Sequence, residues 1–179
     1  MFSMNGFDNN ILQFIQNHMR SSVMDEAMIV VTSLGNLGII WIAISAFILI
    51  RKKNKTAVIG VLCAMLLGTI LGQEILKNII QRPRPFLESS VINMIIEKPV
   101  SYSFPSGHTT AAFAAAGILS KYFKKYSVLF FTIAILIGFS RLYLYVHYPT
   151  DVIAGAILGL VCSRIVYNGL NRNKVIKKS

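Results

Sequence analysis

The sequence predicts an all-α protein, a polytopic transmembrane helix bundle of about five spans with an N-terminal interfacial helix. Three observations predict it. Apolar residues make up 54% of the 179-residue chain and charged residues only 14%, with a mean hydropathy of +0.60, a balance characteristic of membrane proteins. Apolar stretches of roughly the 20 residues that cross a bilayer recur along the chain. Lysines and arginines cluster directly after those stretches, at 51–55, 121–125 and 172–178.

The elements follow in chain order. Residues 1–10 lack the basic region of a secretory signal, and the segment from Ile11 to Met19 is interrupted by Gln13, Gln16, Asn17 and His18. It reads as an amphipathic interfacial helix with Ile11, Leu12, Phe14 and Ile15 against lipid or protein. Five spans are expected at about 27–50, 57–80, 107–123, 127–145 and 150–168. The first contains Ser33-Leu34-Gly35-Asn36-Leu37-Gly38. A kink is expected there, or two shorter helices at 22–34 and 37–50. Gly68 with Gly72, Gly155 with Gly159, and the run Ala111 to Gly117 offer small-residue faces for close helix packing. Cys63 and Cys162 both sit inside apolar runs, so neither a disulfide nor a metal site is expected from them. No internal repeat divides the chain, and residues 1–179 read as a single membrane-embedded domain.

Charge sets the expected orientation. The net charge of +11 comes from basic clusters flanking spans, which is the positive-inside pattern rather than a nucleic-acid surface. The acids Asp8, Asp25, Glu26, Glu74, Glu88, Glu97 and Asp151 fall toward the opposite side. Five spans then place the N-terminus and the loops 81–106 and 141–150 outside the cell, and the C-terminus in the cytoplasm.

Those two loops and their flanks carry nearly all the chemistry. Lys77 precedes Arg84-Pro85, then comes Pro105-Ser106-Gly107-His108, then Ser140-Arg141, His147 and Asp151. Three cations, two imidazoles, a carboxylate and a glycine-containing turn can hold a phosphoryl group and transfer it. The cations and backbone N–H groups neutralise phosphate oxygens, one imidazole can attack, and the other can protonate the departing oxygen. Ser106 suits an N-cap for the helix that follows, aiming the Gly107 and His108 amides at an anion. The i, i+4 spacing of His147 and Asp151 brings carboxylate and ring within reach. Glu74 could pair with Lys77, Arg82 reads as a solvated or headgroup-facing charge, and His18 matches no pattern.

These blocks resemble the type-2 phosphatidic acid phosphatase superfamily, whose pattern is K-x6-RP, PSGH and SR-x5-H-x3-D. Every defining position is matched in order over roughly residues 70–165. The resemblance implies a six-helix core, to which the N-terminal helix would contribute. It implies that His147 is the nucleophile of a phosphohistidine intermediate, that Asp151 orients it, and that His108 is the general acid. It also implies that Lys77, Arg84, Ser106, Gly107 and Arg141 bind the phosphoryl group, with no metal and no other cofactor. The substrate class would be a lipid phosphate met at the extracytoplasmic face. Undecaprenyl diphosphate leads, with phosphatidylglycerophosphate and phosphatidic acid as alternatives. No obligate protein partner and no nucleic acid is implied. A vanadate haloperoxidase would reuse the same pocket but is soluble, and five apolar spans argue against it. A non-catalytic lipid translocator or assembly subunit would be expected to have lost His108, His147 or Asp151, and all three are present.

Overall fold

The computed structural model describes residues 6–88 and 94–176, apart from the side chains of Lys52 and 173–176. Among these residues every regular element is a helix. Helix α1 (Gly6–His18) leads into α2 (Ser22–Gly35) and α3 (Ile39–Lys52), then α4 (Lys55–Thr69). A π-helical segment, Ile70–Leu76, continues α4 into the short α5 (Lys77–Ile80). The single-turn α6 (Pro85–Glu88), α7 (Gly107–Tyr122), α8 (Ser127–Tyr143) and α9 (Pro149–Ile176) complete the chain.

Local sequence explains the boundaries. Ser21 accepts from the Met24 N–H to cap α2, and Asn54 accepts from the Ala57 N–H to cap α4. The first predicted span is broken. Asn36–Gly38 forms a 3-10 turn in which Leu37 (φ 50) and Gly38 (φ 70) take left-handed conformations, so α2 and α3 meet at an elbow. Gln81 (φ 49) ends α5 in the same way. The Arg82–Arg84 stretch therefore leaves the helix axis.

Four helical segments have the length and apolar composition to cross a membrane: Ser22–Arg51, Lys55–Glu88, Lys124–Tyr143 and Pro149–Arg172. The third predicted span, 107–123, forms α7, which at 16 residues is about 24 Å long, short of the roughly 30 Å hydrocarbon layer. It need not face lipid. It packs against α9, α4 and α8, and Ala112, Ala114, Ala115, Ala116, Ile118 and Leu119 are all buried. The outward faces carry Ile59, Leu62, Leu66, Val128, Ile135, Ile153, Ile157 and Ile165. Large apolar groups outside and alanine inside suit a bundle solvated by lipid, where close backbone approach takes the place of hydrophobic collapse. The chain is accordingly a multi-pass membrane protein.

The expected small-residue contacts are present between α7 and α9. A Cβ on Gly155 would lie 2.7 Å from the Ser106 carbonyl oxygen, and one on Gly159 would lie 2.8 Å from the Ala114 nitrogen. Gly68 packs likewise against Thr110, whereas Gly72 has ordinary space around it. Both cysteines are free, Cys63 facing outward and Cys162 buried. Helix α1 crosses the end of the bundle where α8 finishes and α9 begins, burying Leu12 and Ile15 while Phe14 stays exposed. The basic tail beyond Arg172 falls mostly outside the described residues.

Candidate active site

The bundle end that α1 crosses contains a cavity of about 460 Å³. Lys77, Arg84, Gly107, His108, Arg141 and His147 all line it. Six of the eight residues singled out from the sequence thus meet at one surface. Asp151 and Ser106 stand behind that surface, each fully buried.

Each cation arrives by a different route. The π-helical segment changes the register of α4 before Lys77, a common device at functional positions. Lys77 Nζ donates to Ser101 Oγ at 3.1 Å and makes no ion pair with Glu74 among the described residues. Arg84 is held rigidly, its Nε donating to the Ser101 carbonyl (2.6 Å), Nη2 to Ser101 Oγ (3.1 Å) and Nη1 to the Val146 carbonyl (2.8 Å). Arg141, in the last turn of α8, donates through Nη1 to the Thr32 hydroxyl of α2. Its Nε has no hydrogen-bond partner among the described residues. Lys77, Arg84 and Arg141 are each at most 4% exposed, and among the described residues none meets a carboxylate within ion-pair distance. Three buried cations around one cavity, without acidic partners, cost on the order of several kcal/mol each unless an anion joins them.

His147 sits between α8 and α9, where the left-handed Tyr145 (φ 59) turns the chain. Its Nε2 faces Arg84 Nη1 at 3.3 Å. On the other edge, Nδ1 lies 3.6 Å from Asp151 Oδ2 and 3.4 Å from Ser103 Oγ. Ser103 itself donates to Asp151 Oδ2 at 2.5 Å, and the Tyr148 N–H donates to the same oxygen at 2.9 Å. The expected His147–Asp151 pairing is present but supported by Ser103, a residue that no sequence pattern marked. Burial pushes the His147 imidazole down to about 3, so the ring is neutral at physiological pH and Nε2 keeps a lone pair.

His108 opens α7, and its Nε2 lies 2.8 Å from Asn36 Oδ1 at the α2–α3 elbow. Gly107 and His108 belong to the first turn, whose N–H groups have no intrahelical acceptor and can meet an anion. Ser106 precedes them, but its hydroxyl makes no capping bond. Instead it accepts from Thr109 Oγ1 at 2.9 Å, and its N–H donates to the Asp151 carbonyl at 3.1 Å. Ser106 thus occupies the expected N-cap position, its carbonyl accepting from the Thr110 N–H at 2.9 Å, while its other bonds fix the turn against α9.

Arg82 requires a larger correction. It is not solvated. It is 9% exposed and bridges Asp8 (2.6 Å) and Asp151 (2.7 Å). Its guanidinium also covers the Tyr148 ring at 3.9 Å. Two carboxylates and an aromatic face compensate the buried charge. Among the described residues, no three His, Cys, Asp or Glu side chains gather into a metal-ligand set.

A second, smaller cavity of about 330 Å³ adjoins the first, sharing Gln73, Gly107 and His108 and adding Gly35, Leu37, Gly38, Met65, Thr69 and Ala111. Leu37 is 90% exposed, so this groove opens to the protein surface at the elbow.

The family model of the PAP2 superfamily matches residues 57–174. An undecaprenyl-diphosphatase from Sulfolobus acidocaldarius is 30% identical over 155 residues, 86% of this chain and 74% of the relative. The bacitracin transport permease protein BcrC from Bacillus licheniformis is 35% identical over 115 residues, 64% of this chain, and the match spans only 56% of that relative's length. The crystal structure of LpxE from Aquifex aeolicus superposes with a TM-score of 0.82 at 30% identity, covering 94% of this chain and 99% of LpxE.

Proposed function

The chain belongs to the PAP2 superfamily, and from that premise we propose that it is a lipid phosphatase acting through a phosphohistidine, with undecaprenyl diphosphate as its leading substrate. One observation carries the chemistry. His147 Nε2, on a neutral ring, faces a cavity lined by three buried cations that have no acidic partner among the described residues. The substrate class is supported by the diphosphatase relative and by the groove that leads from His108 to the protein surface at the elbow.

In the proposed reaction, the terminal phosphate enters between Lys77, Arg84, Arg141 and the first-turn amides of α7. His147 Nε2 donates its lone pair to phosphorus, and the bond from phosphorus to the leaving oxygen breaks. His108, as an imidazolium, gives that oxygen a proton and becomes neutral, and the lipid phosphate withdraws along the groove. Asp151 stabilises the positive charge that develops on the His147 ring. A water then attacks the phosphohistidine, loses a proton to His108, and releases inorganic phosphate while restoring both histidines. Lys77, Arg84 and Arg141 stabilise the transition-state charge at each step, so no metal is required.

We place the site on the extracytoplasmic face, with the basic ends of α3, α7 and α9 in the cytoplasm, on the strength of charge bias. The deciding experiment measures phosphate release by the purified full chain from undecaprenyl diphosphate, phosphatidylglycerophosphate, phosphatidate and diacylglycerol pyrophosphate. Fastest turnover of the polyprenyl substrate is expected. Preference for a glycerolipid would move the substrate assignment and leave the chemistry intact, and no turnover of any would overturn the reading.

A further inference from the structure

We propose that Asp8 of the N-terminal helix and Arg82 are positioning residues that set the direction and charge of Asp151, and through it the His147 ring. The inference rests on the reading of His147 as the nucleophile. Neither residue lines the cavity, so neither touches substrate.

Asp8 lies in the first turn of α1 and is fully buried. Its Oδ2 accepts from Arg82 Nη2 (2.6 Å) and from the Thr150 hydroxyl (2.8 Å), and its Oδ1 accepts from the Thr150 N–H (3.0 Å). Arg82 Nη1 reaches both Thr150 Oγ1 and Asp151 Oδ1, each at 2.7 Å. Asp151 Oδ1 is therefore tied to the α1 side of the protein. Its Oδ2 is directed toward Ser103, the Tyr148 N–H and the His147 ring. Thr150 is the second residue of α9, so Asp8 also satisfies an N–H that the helix itself leaves unpaired.

The charges make the arrangement more than an anchor. One guanidinium is shared by two buried carboxylates, leaving the cluster behind the Nδ1 edge net negative, opposite Arg84 at the Nε2 edge, as the ring becomes positive on N–P bond formation. Without Asp8, the whole charge of Arg82 falls on Asp151, which then stabilises the positive ring less. Without Arg82, Asp151 Oδ1 loses the donor that anchors it at 2.7 Å, and the carboxylate is free to turn away from the His147 ring. Either loss should slow the chemical step while leaving phosphate binding alone, because Lys77, Arg84 and Arg141 are untouched. A buried ion pair kept only for stability would show no such selectivity.

The test uses the full chain in phosphatidylcholine–phosphatidylglycerol vesicles, with Asp8→Asn, Asp8→Glu, Arg82→Gln and the Asp8→Asn/Arg82→Gln double variant. The readouts are kcat, KM, inhibition by inorganic phosphate and the melting midpoint. Asp8→Asn should lower kcat by roughly 10–100-fold, the range for residues that orient a reacting group from behind, with KM and phosphate inhibition changed less than about threefold. Asp8→Glu should recover part of the loss. The double variant should be no slower than Arg82→Gln, since both substitutions break one network. A kcat for Asp8→Asn within about twofold of wild type, or KM and phosphate inhibition worsening in step with kcat, overturns the proposal. If Asp8→Asn loses its melting transition, Arg82→Lys replaces it, keeping the charge but losing the planar fork that bonds Asp8 and Asp151 at once. A selective kcat loss there supports the pair, and an unchanged kcat overturns it. Wild-type protein inactive on every lipid phosphate would sink the functional reading instead, a result distinct from an active enzyme indifferent to Asp8.

Discussion

Arg84 Nη1 lies 3.3 Å from His147 Nε2, the nitrogen proposed to attack phosphorus. The same guanidinium is fixed by the Ser101 and Val146 carbonyls, so it holds the ring edge and the phosphate oxygens in one frame. Lysine cannot reproduce that planar set of donors. Arg84→Lys should therefore lower kcat/KM by roughly 10²–10³-fold, as for loss of a transition-state donor, with little change in melting midpoint. Phosphate release and thermal unfolding of the same preparation check both halves.

The sidedness can be read with thiol chemistry. Val100 is fully exposed beside the site, and Lys124 is exposed at the basic end. Single cysteines at these positions, in a background without Cys63 and Cys162, should differ in intact cells. A membrane-impermeant reagent should label Val100→Cys and spare Lys124→Cys; the reverse pattern would invert the orientation.

Chelator should leave turnover of a water-soluble phosphate ester intact, because three side-chain cations supply the neutralisation. Vanadate should inhibit by adopting the trigonal-bipyramidal geometry of the transfer. Activity that disappears in chelator and returns only with magnesium would contradict the metal-free mechanism.

The two histidines should separate by leaving group. His108→Ala should lose roughly 10²–10⁴-fold on a substrate that departs as a poor alkoxide, the range for a missing general acid. p-Nitrophenyl phosphate leaves as a stable phenolate and should recover part of that loss, and a diphosphate should depend on His108 less than a monoester. No leaving group should restore His147→Ala. A phosphorylated protein trapped in His147→Ala would show that another residue is the nucleophile.

His147 also ties stability to pH. The unfolded chain binds a proton near the ordinary histidine value of about 6.5, while burial delays uptake in the folded state to about 3. Its contribution to stability is therefore complete above pH 6.5 and is lost as pH falls through that window. The melting midpoint should decline between pH 6.5 and 4, and less steeply in His147→Asn.

What could be read from the sequence divides along physical lines. Spacing carried the cavity residues, because Lys77, Arg84, His108, Arg141 and His147 each stand at or near a helix end on the same side of the bundle. The Ser33–Gly38 stretch likewise announced the elbow. Thr32 and Asn36 were not legible. They reach Arg141 and His108 across sequence separations of 109 and 72 residues, and nothing local distinguishes them from ordinary polar residues in an apolar segment. Ser101 and Ser103 come from an irregular loop, without the periodicity that assigns faces. Arg82 misled for a related reason: its partner Asp8 lies 74 residues away, and an isolated arginine next to a span looks solvated.

The contact between α7 and α9 acts as a gauge block for the chemistry. His108 rides on the first turn of α7 and His147 immediately precedes α9, so the distance between the proposed acid and nucleophile is cut by how near those two backbones lie. Gly155 and Gly159 set that nearness where even a methyl group would collide with the Ser106 carbonyl or the Ala114 nitrogen. The calibration of the site is thus held in two residues that carry no functional group. An added carbon at Gly159 would press α7 and α9 apart and with them the two histidines, detuning the reaction from inside the bundle without touching any participant in it.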